Sequence, residues 1–208
     1  SIQVLFCGMC HSDLHACNGD WGMNFFPITP GHEVAGIVQK VGENVSTFKV
    51  GDRVGVGCFV DSCGECEMCK RGEENYCPQS IMTYGSVYTK GLGHDECADH
   101  HTNGGYSSQI TVKQDFVYHA PDSMGLEYVA PLLCAGITMF GPLNRHVLKK
   151  EGKKSVGILG FGGLGQMGVK LAKVMGADVT VLSRSTSKKD QAEALGAELV
   201  AHGDEEAM

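Results

Sequence analysis

The sequence has no surplus of basic residues: 17 Lys and Arg stand against 24 Asp and Glu, for a net charge of −7. A chain of that sign is a poor match for a phosphate backbone or an anionic bilayer, so neither nucleic acid nor membrane is an expected partner. It also lacks a basic stretch followed by an apolar one near its start, which reads Ser1-Ile2-Gln3-Val4 without an initiator Met, so no signal peptide is expected. Long hydrophobic runs are missing too. The longest, Tyr128 to Leu143, is interrupted by Pro131, Gly136, Gly141 and Pro142. It is short for a bilayer span and reads as a buried helix. No low-complexity segment appears, and an apolar content of 42% is that of a globular chain. Cysteine, by contrast, is plentiful at 10 residues. Their clustering at metal-ligand spacing, beside His and Glu, argues for a reducing compartment rather than a disulfide framework, and a cytoplasmic location is expected.

The 208 residues suffice for one large or two small domains. After Glu33, Val34, Ile37, Val38 and Val41 are β-formers broken by Gly36, Gly42 and Gly51, the pattern of short strands joined by tight turns. Gln109–Val112 and Phe116–His119 continue it, and a small antiparallel barrel is expected. Leu126 to Thr138 carries apolar residues at helical spacing and predicts a helix that includes Cys134. From Ser155 the regime changes. Val156–Leu159 reads as a buried strand, Gln166–Met175 as a helix and Val179–Leu182 as a strand. Ser187–Leu195 is a helix again, and Glu198–Val200 begins a third strand. That alternation is the beginning of a doubly wound α/β unit. It stops at Met208, too early to close such a domain, so a fragment is expected.

Cys63, Cys66, Cys69 and Cys77 form C-x2-C-x2-C-x7-C. Four thiolates with no open position make a closed structural zinc site whose metal supplies folding energy to the loop. An iron–sulfur cluster is the rival, since bacterial ferredoxins share the first spacings. The final gap here is seven residues rather than three, and there is only one such set, so zinc is favoured.

Gly160-x-Gly162-x-x-Gly165 lies between a predicted strand and a predicted helix, the context that makes this pattern a dinucleotide site. The glycines permit the turn, the approach of a pyrophosphate, and the packing of helix on strand. At the end of the second strand an NAD site places an acid on the ribose hydroxyl. Here the residues are Ser183, Arg184, Ser185, Thr186, Ser187, Lys188 and Lys189, with no acid before Asp190. Hydroxyls and cations suit a 2′-phosphate, and NADP(H) is favoured.

The segment Cys7–Glu33 supplies Cys10 and His32, a thiolate and an imidazole, and Cys134 stands far downstream. Two Cys and one His leave one tetrahedral position open, as in a catalytic zinc site, and this set is the one already established for alcohol dehydrogenases. Taken in order, CGMCHSDLH, PGHEVAGIVQKVG, FKVGDRV, CGECEMCKRGEENYC, GGYSS, PLLCAGITMF and GFGGLGQMGVKLAK resemble the zinc-dependent medium-chain alcohol dehydrogenases, specifically the cinnamyl alcohol dehydrogenase class. The resemblance implies an α/β plus β fold. A GroES-like β-barrel catalytic domain (1–140, with a zinc lobe at 58–80) would precede the first part of a Rossmann NADP-binding domain (141–208). It implies two Zn2+ per chain. Cys10, His32 and Cys134 would hold the catalytic ion, with Glu33 as an alternative ligand and Asp13 orienting His32. Ser12 and His15 would be the proton relay, with Asp20 supporting the histidine; a helix-capping role for Ser12 and Asp13 and a surface role for His15 compete. Thr138 would lie near the nicotinamide. Gly160, Gly162, Gly163, Leu164 and Gly165 would cradle the cofactor, and Ser183, Arg184 and Lys188 would contact its 2′-phosphate. The activity implied is interconversion of primary alcohols and aldehydes, in a homodimer when full length. An NAD-dependent zinc alcohol or polyol dehydrogenase, or a catalytically inactive zinc-binding relative, stays open. There are departures from the family. The segment Gly91–Asn103 is long and polar, and its His94, Cys97, His100 and His101 are adventitious metal donors or simply an exposed loop. Met82 stands where lignin-forming plant members commonly carry tryptophan.

Overall fold

The strands in the first part of the chain follow from short β-branched runs punctuated by turns. The computed structural model describes residues 1–22, 26–88, 100–149 and 151–201. His94 and Cys97 lie outside the described residues. The chain divides into two compact units, Ser1–Cys134 and Ala135–Met208.

The first unit contains, in order, β1 (Ile2–Cys7), α1 (His11–Asn18), β2 (Val34–Val38), β3 (Arg53–Val56), β4 (Phe59–Asp61), α2 (Glu67–Lys70), β5 (Ile81–Met82), β6 (Gln109–Ile110), β7 (Val117–His119) and α3 (Leu126–Val129). Five strands form an antiparallel sheet of order β6-β1-β2-β3-β7, and β4 pairs with β5 apart from it. β2 is buried on both faces. Val34 joins Ile2, Val54, Val56 and Ile110 in one apolar cluster, while Ala35 joins Leu126, Val129 and Ala130 in another. This is why Val-Ala-Gly-Ile-Val carries no polar side chain. Each fully buried valine contributes about 1.5–3 kcal/mol of transfer free energy. The two residues just before β2, His32 and Glu33, therefore stand on a strand with little freedom to move. At the root of the four-cysteine loop, the Asp61 carboxylate is buried and accepts from Lys113 Nζ at 2.7 Å and from the Ser62 amide at 2.7 Å.

The helix expected over Leu126–Thr138 is broken. Its first turn, α3, passes into a 3₁₀ turn at Ala130–Leu133, and Cys134 leaves helical geometry altogether (φ −122°, ψ −74°). Pro131 has no N–H for the carbonyl four residues back and its ring crowds that turn, which tightens the chain. Cys134 thus sits at a break and not within a helix.

The second unit comprises α4 (Ala135–Leu143), β8 (Lys154–Leu159), α5 (Gly163–Val174), β9 (Ala177–Ser183), α6 (Lys189–Ala194) and β10 (Glu198–Ala201). Its three strands are parallel in the order β10-β9-β8, as the alternating pattern predicts. Val169, Ala172, Val179, Val181, Ala192 and Leu199 form its core with Ile158 and Phe161. β8 is less buried than the sequence suggests. Ile158 is covered and Val156 partly so, but Leu159 is 87% exposed. Among the described residues β8 pairs only with β9, which leaves it as an edge. No single helix among the described residues is long and apolar enough to cross a membrane.

Candidate functional site

Cys10 is the N-cap of α1, with extended φ and ψ, and Asp13 occupies the third helical position. The Asp13 carboxylate reaches back to accept from the Cys10 amide (2.9 Å), the reciprocal half of a capping box. So Asp13 does cap the helix, and it does more. Its other oxygen accepts from the Gly31 amide (3.1 Å) and pairs with His32 Nδ1 (3.2 Å), and the Tyr106 hydroxyl donates to Oδ2 at 2.8 Å. Burial works against the carboxylate, but these bonds and the neighbouring imidazole hold its pKa well below the usual range. Burial likewise opposes a charged His32, yet its bonds to Asp13 and Cys134 prevail and raise its pKa to about 10.

With Nδ1 committed to Asp13, the His32 ring offers Nε2 to its other neighbours. Candidate ligand atoms of Cys10, His32, Glu33 and Cys134 all lie within 4.8 Å of one another. His32 and Glu33 are buried, and burial raises the Glu33 pKa. The turn is shaped for them. Gly31 has φ +102°, and a Cβ there would lie 2.8 Å from Cys7 Sγ and from the Tyr106 amide. Two thiols, an imidazole held through its far nitrogen and a close carboxyl suit a zinc ion with a position left for exchange. Beside Cys134 stands Cys58, whose contact pushes the Cys134 thiol up and its own thiol down in pKa.

A cavity of about 90 Å³ opens on this cluster, lined by Ser12, Trp21, Met82 and Tyr84 together with His32 and Cys134. The Ser12 hydroxyl accepts from Cys10 Sγ at 3.5 Å. His15 is half-exposed one turn further along α1, its Nδ1 2.8 Å from Asp20 Oδ2 and its ring between His11 and Trp21. Met82 faces the same cavity as Ser12.

The second cluster is local. Candidate ligand atoms of Cys63, Cys66, Cys69 and Cys77 also lie within 4.8 Å of one another, with Cys77–Cys63 at 3.5 Å and Cys66–Cys69 at 3.6 Å. The Cys66 amide donates to Cys63 Sγ at 3.4 Å and the Gln79 amide to Cys77 Sγ at 3.3 Å. Main-chain donors at Glu65 and Cys66 lower the Cys63 pKa to about 6. Amides aimed at sulfur favour the thiolate form, burial pushes the Cys77 thiol up to about 11, and four cysteine sulfurs converge here. The set fits a closed zinc site.

In the second unit, Gly160 has φ +89° and its amide donates to Leu182 O at 2.8 Å, closing the turn against β9. Gly162 caps α5, Gly163 begins it, and Leu164 is partly exposed on its first turn. A Cβ at Gly165 would lie 2.1 Å from Gly160 O, so only glycine lets the helix approach the strand. Ser183 ends β9 and Arg184 is exposed just after it. Lys188 Nζ donates to Phe161 O at 3.2 Å, which brings the basic segment onto the glycine turn. Thr138 is exposed on α4. Of the polar loop, His101 Nε2 lies 2.8 Å from Pro27 O.

Tyr106, Trp21, Cys58 and Tyr84 are the site residues that sequence reading does not single out. A model of the alcohol dehydrogenase GroES-like domain family matches residues 1–122. The chain is 50% identical over 191 residues to cinnamyl alcohol dehydrogenase 8 of Arabidopsis thaliana, covering 92% of this chain and 51% of that protein. Among solved structures it is similar to a cinnamyl alcohol dehydrogenase from Sorghum bicolor, with TM-score 0.88 and 46% identity over 99% of this chain and 57% of that one. It is also similar to CAD from Helicobacter pylori complexed with NADP(H), with TM-score 0.86 and 43% identity over 95% and 55%. The chain spans about half the length of the relatives it matches.

Proposed function

The chain belongs to the alcohol dehydrogenase family that carries the GroES-like domain, and from that premise we propose that it serves a zinc-dependent oxidoreductase interconverting primary alcohols and aldehydes with NADP(H). The observation that carries the reading is the convergence of Cys10, His32, Glu33 and Cys134 donors, with His32 aimed by Asp13.

Cys10, His32 and Cys134 would hold a catalytic zinc, with Glu33 close enough to replace a ligand. Cys63, Cys66, Cys69 and Cys77 would hold a structural one. When bound, zinc supplies Lewis-acid polarisation of the substrate oxygen and the nicotinamide supplies or takes the hydride. The chain's own residues do the rest. Asp13 fixes the tautomer and orientation of His32. Ser12 lines the cavity and would take or give the hydroxyl proton of the substrate. His15, steadied by Asp20, is exposed enough to pass that proton to water. Trp21 and Met82 line the cavity and favour a substrate with an apolar body. Gly160, Gly162, Gly163, Leu164 and Gly165 would receive the pyrophosphate, Thr138 would meet the nicotinamide, and Ser183, Arg184 and Lys188 the 2′-phosphate. A homodimer in the cytoplasm completes the reading.

The test is aldehyde reduction by the protein that carries this sequence, followed as NADPH consumption over a panel of aromatic and aliphatic aldehydes. Turnover that Cys10→Ser abolishes is expected. Zinc-loaded protein that reduces none of the panel, or that keeps full turnover in Cys10→Ser, would overturn the proposal.

A further inference from the structure

Tyr106 has no part in the roles assigned above, yet it touches the residue on which the metal cluster turns. The Asp13 carboxylate offers about four lone-pair sites, and four close donors converge on it. Gly31 N–H and His32 Nδ1 meet Oδ1, and the Cys10 N–H and the Tyr106 O–H meet Oδ2. Three of these donors belong to the ligand-bearing segments themselves. Tyr106 comes from elsewhere, 93 residues from Asp13 along the chain, and Tyr84, whose pKa is raised by burial and by Asp13, is a second distant hydroxyl beside this carboxylate.

Its delivery is built into the backbone. The Gly104 amide donates to Thr29 O, the Gly105 amide to Gly31 O at 2.8 Å, and the Tyr106 amide to Pro30 O at 3.0 Å. Residues 104–106 are thus laced along 29–31, immediately before His32, and Gly31 has no side chain to hold them apart. The hydroxyl has one proton. At 2.8 Å the charged Asp13 Oδ2 takes it, and Gly8 O at 3.2 Å is the lesser acceptor. The ring itself packs into none of the apolar clusters and is 39% exposed. The position uses its hydroxyl rather than its bulk.

We propose that Tyr106 is a positioning residue of the metal centre, which through Asp13 sets the orientation and donor strength of His32. Its bond fixes the rotation of the carboxylate and withdraws part of its negative charge, and so governs how strongly Asp13 polarises the imidazole. This rests on reading Cys10, His32, Glu33 and Cys134 as a zinc centre.

The test uses the protein that carries this chain, loaded with Co2+ or Zn2+, in wild type, Tyr106→Phe, Asp13→Ala and the double variant. Ligand-field bands of Co2+ distinguish a centre of two thiolates and an imidazole from one of four thiolates. Release of Zn2+ to a coloured chelator gives the two rates. Tyr106→Phe should shift the mixed-ligand bands and speed release from that centre by about tenfold or more, leaving the four-thiolate centre unchanged. In the Asp13→Ala background, where no side-chain acceptor or donor remains, it should add nothing further. Unchanged bands and release would overturn the inference. So would an effect that persists without the Asp13 carboxylate, or loss of both metals together, since each makes Tyr106 a packing or folding residue. A wild-type chain that binds metal only at the four thiolates would instead bring down the reading of the zinc centre, and this inference with it.

Discussion

Replacing Asp13 by Asn exchanges one oxygen for an amide nitrogen and should loosen the hold of the mixed-ligand centre on its metal. The carboxylate accepts from four donors, whereas an amide has one oxygen and two N–H groups of its own. If its nitrogen takes the Oδ1 position, it faces the Gly31 amide and the His32 ring. If it takes the Oδ2 position, it faces the Cys10 amide and the Tyr106 hydroxyl. Only the hydroxyl can turn and accept, so the second orientation wins. The Cys10 N–H then loses its partner, and His32 donates to a neutral oxygen instead of an anion. An unsatisfied buried N–H costs about 1–3 kcal/mol, and a charge-assisted bond is worth about 1.5–3 kcal/mol against about 1 for a neutral one. Together these come to about 3 kcal/mol, or roughly a hundredfold in metal affinity at 1.4 kcal/mol per decade. Both losses fall on ligand residues, so the cost should appear in metal binding more than in folding. Chelator competition on the zinc-loaded chain reads it directly: one zinc, held by the four thiolates, should stay, and the other should leave about a hundredfold more readily. Two zinc ions retained with wild-type affinity would refute the reasoning, because the carboxylate would then contribute nothing to how His32 is held.

Cys66→Ser should lower the denaturation midpoint of the first unit by several degrees, whereas Cys10→Ser should abolish turnover with little change in midpoint; equal loss of stability in both, with activity kept, would erase the division of labour between the two centres. Arg184→Ala should weaken NADPH by about 1.5–3 kcal/mol and leave NADH nearly unchanged, read as two KM values, and equal changes would remove the 2′-phosphate assignment. In the chelated chain the raised pKa of His32 means that its stabilising effect is full below about pH 6.5 and lost as pH rises through about 10. The depressed pKa of Asp13 gives a contribution present above about pH 4 and lost on acidification below it. Urea midpoints of the chelated chain should therefore fall between pH 7 and 10, and a flat profile would contradict the pairing.

What the sequence makes legible is what is local. Cys63, Cys66, Cys69 and Cys77 lie within 15 positions, so their spacing alone announces a closed site. Gly160 and Gly165 are equally plain because the requirement they meet, a helix start pressed against a strand end, is satisfied within one turn. Cys134 is different. Its residue type is visible, but the geometry that presents it depends on Pro131 breaking a helix that hydrophobic spacing alone continues. The exposure of Leu159 is hidden for a similar reason, since β-propensity reports a strand and not how many neighbours it has. Tyr106 leaves the faintest trace. Its role arises from backbone bonds between residues 104–106 and 29–31, and nothing in Gly-Gly-Tyr names Asp13 as the acceptor. Trp21 and Cys58 meet at one cavity from segments far apart in the chain, so periodicity cannot pair them.

On this reading Cys10, His32, Glu33 and Cys134 form a zinc centre distinct from the four-thiolate one. Anomalous diffraction from crystals of the zinc-loaded chain, measured above and below the zinc absorption edge, tests it with the fewest intermediate steps. Two peaks per chain are expected: one among Cys63, Cys66, Cys69 and Cys77, the other bonded to Cys10, His32 and Cys134 with Asp13 behind the histidine. A single peak at the four thiolates, from protein saturated with zinc, would contradict the account.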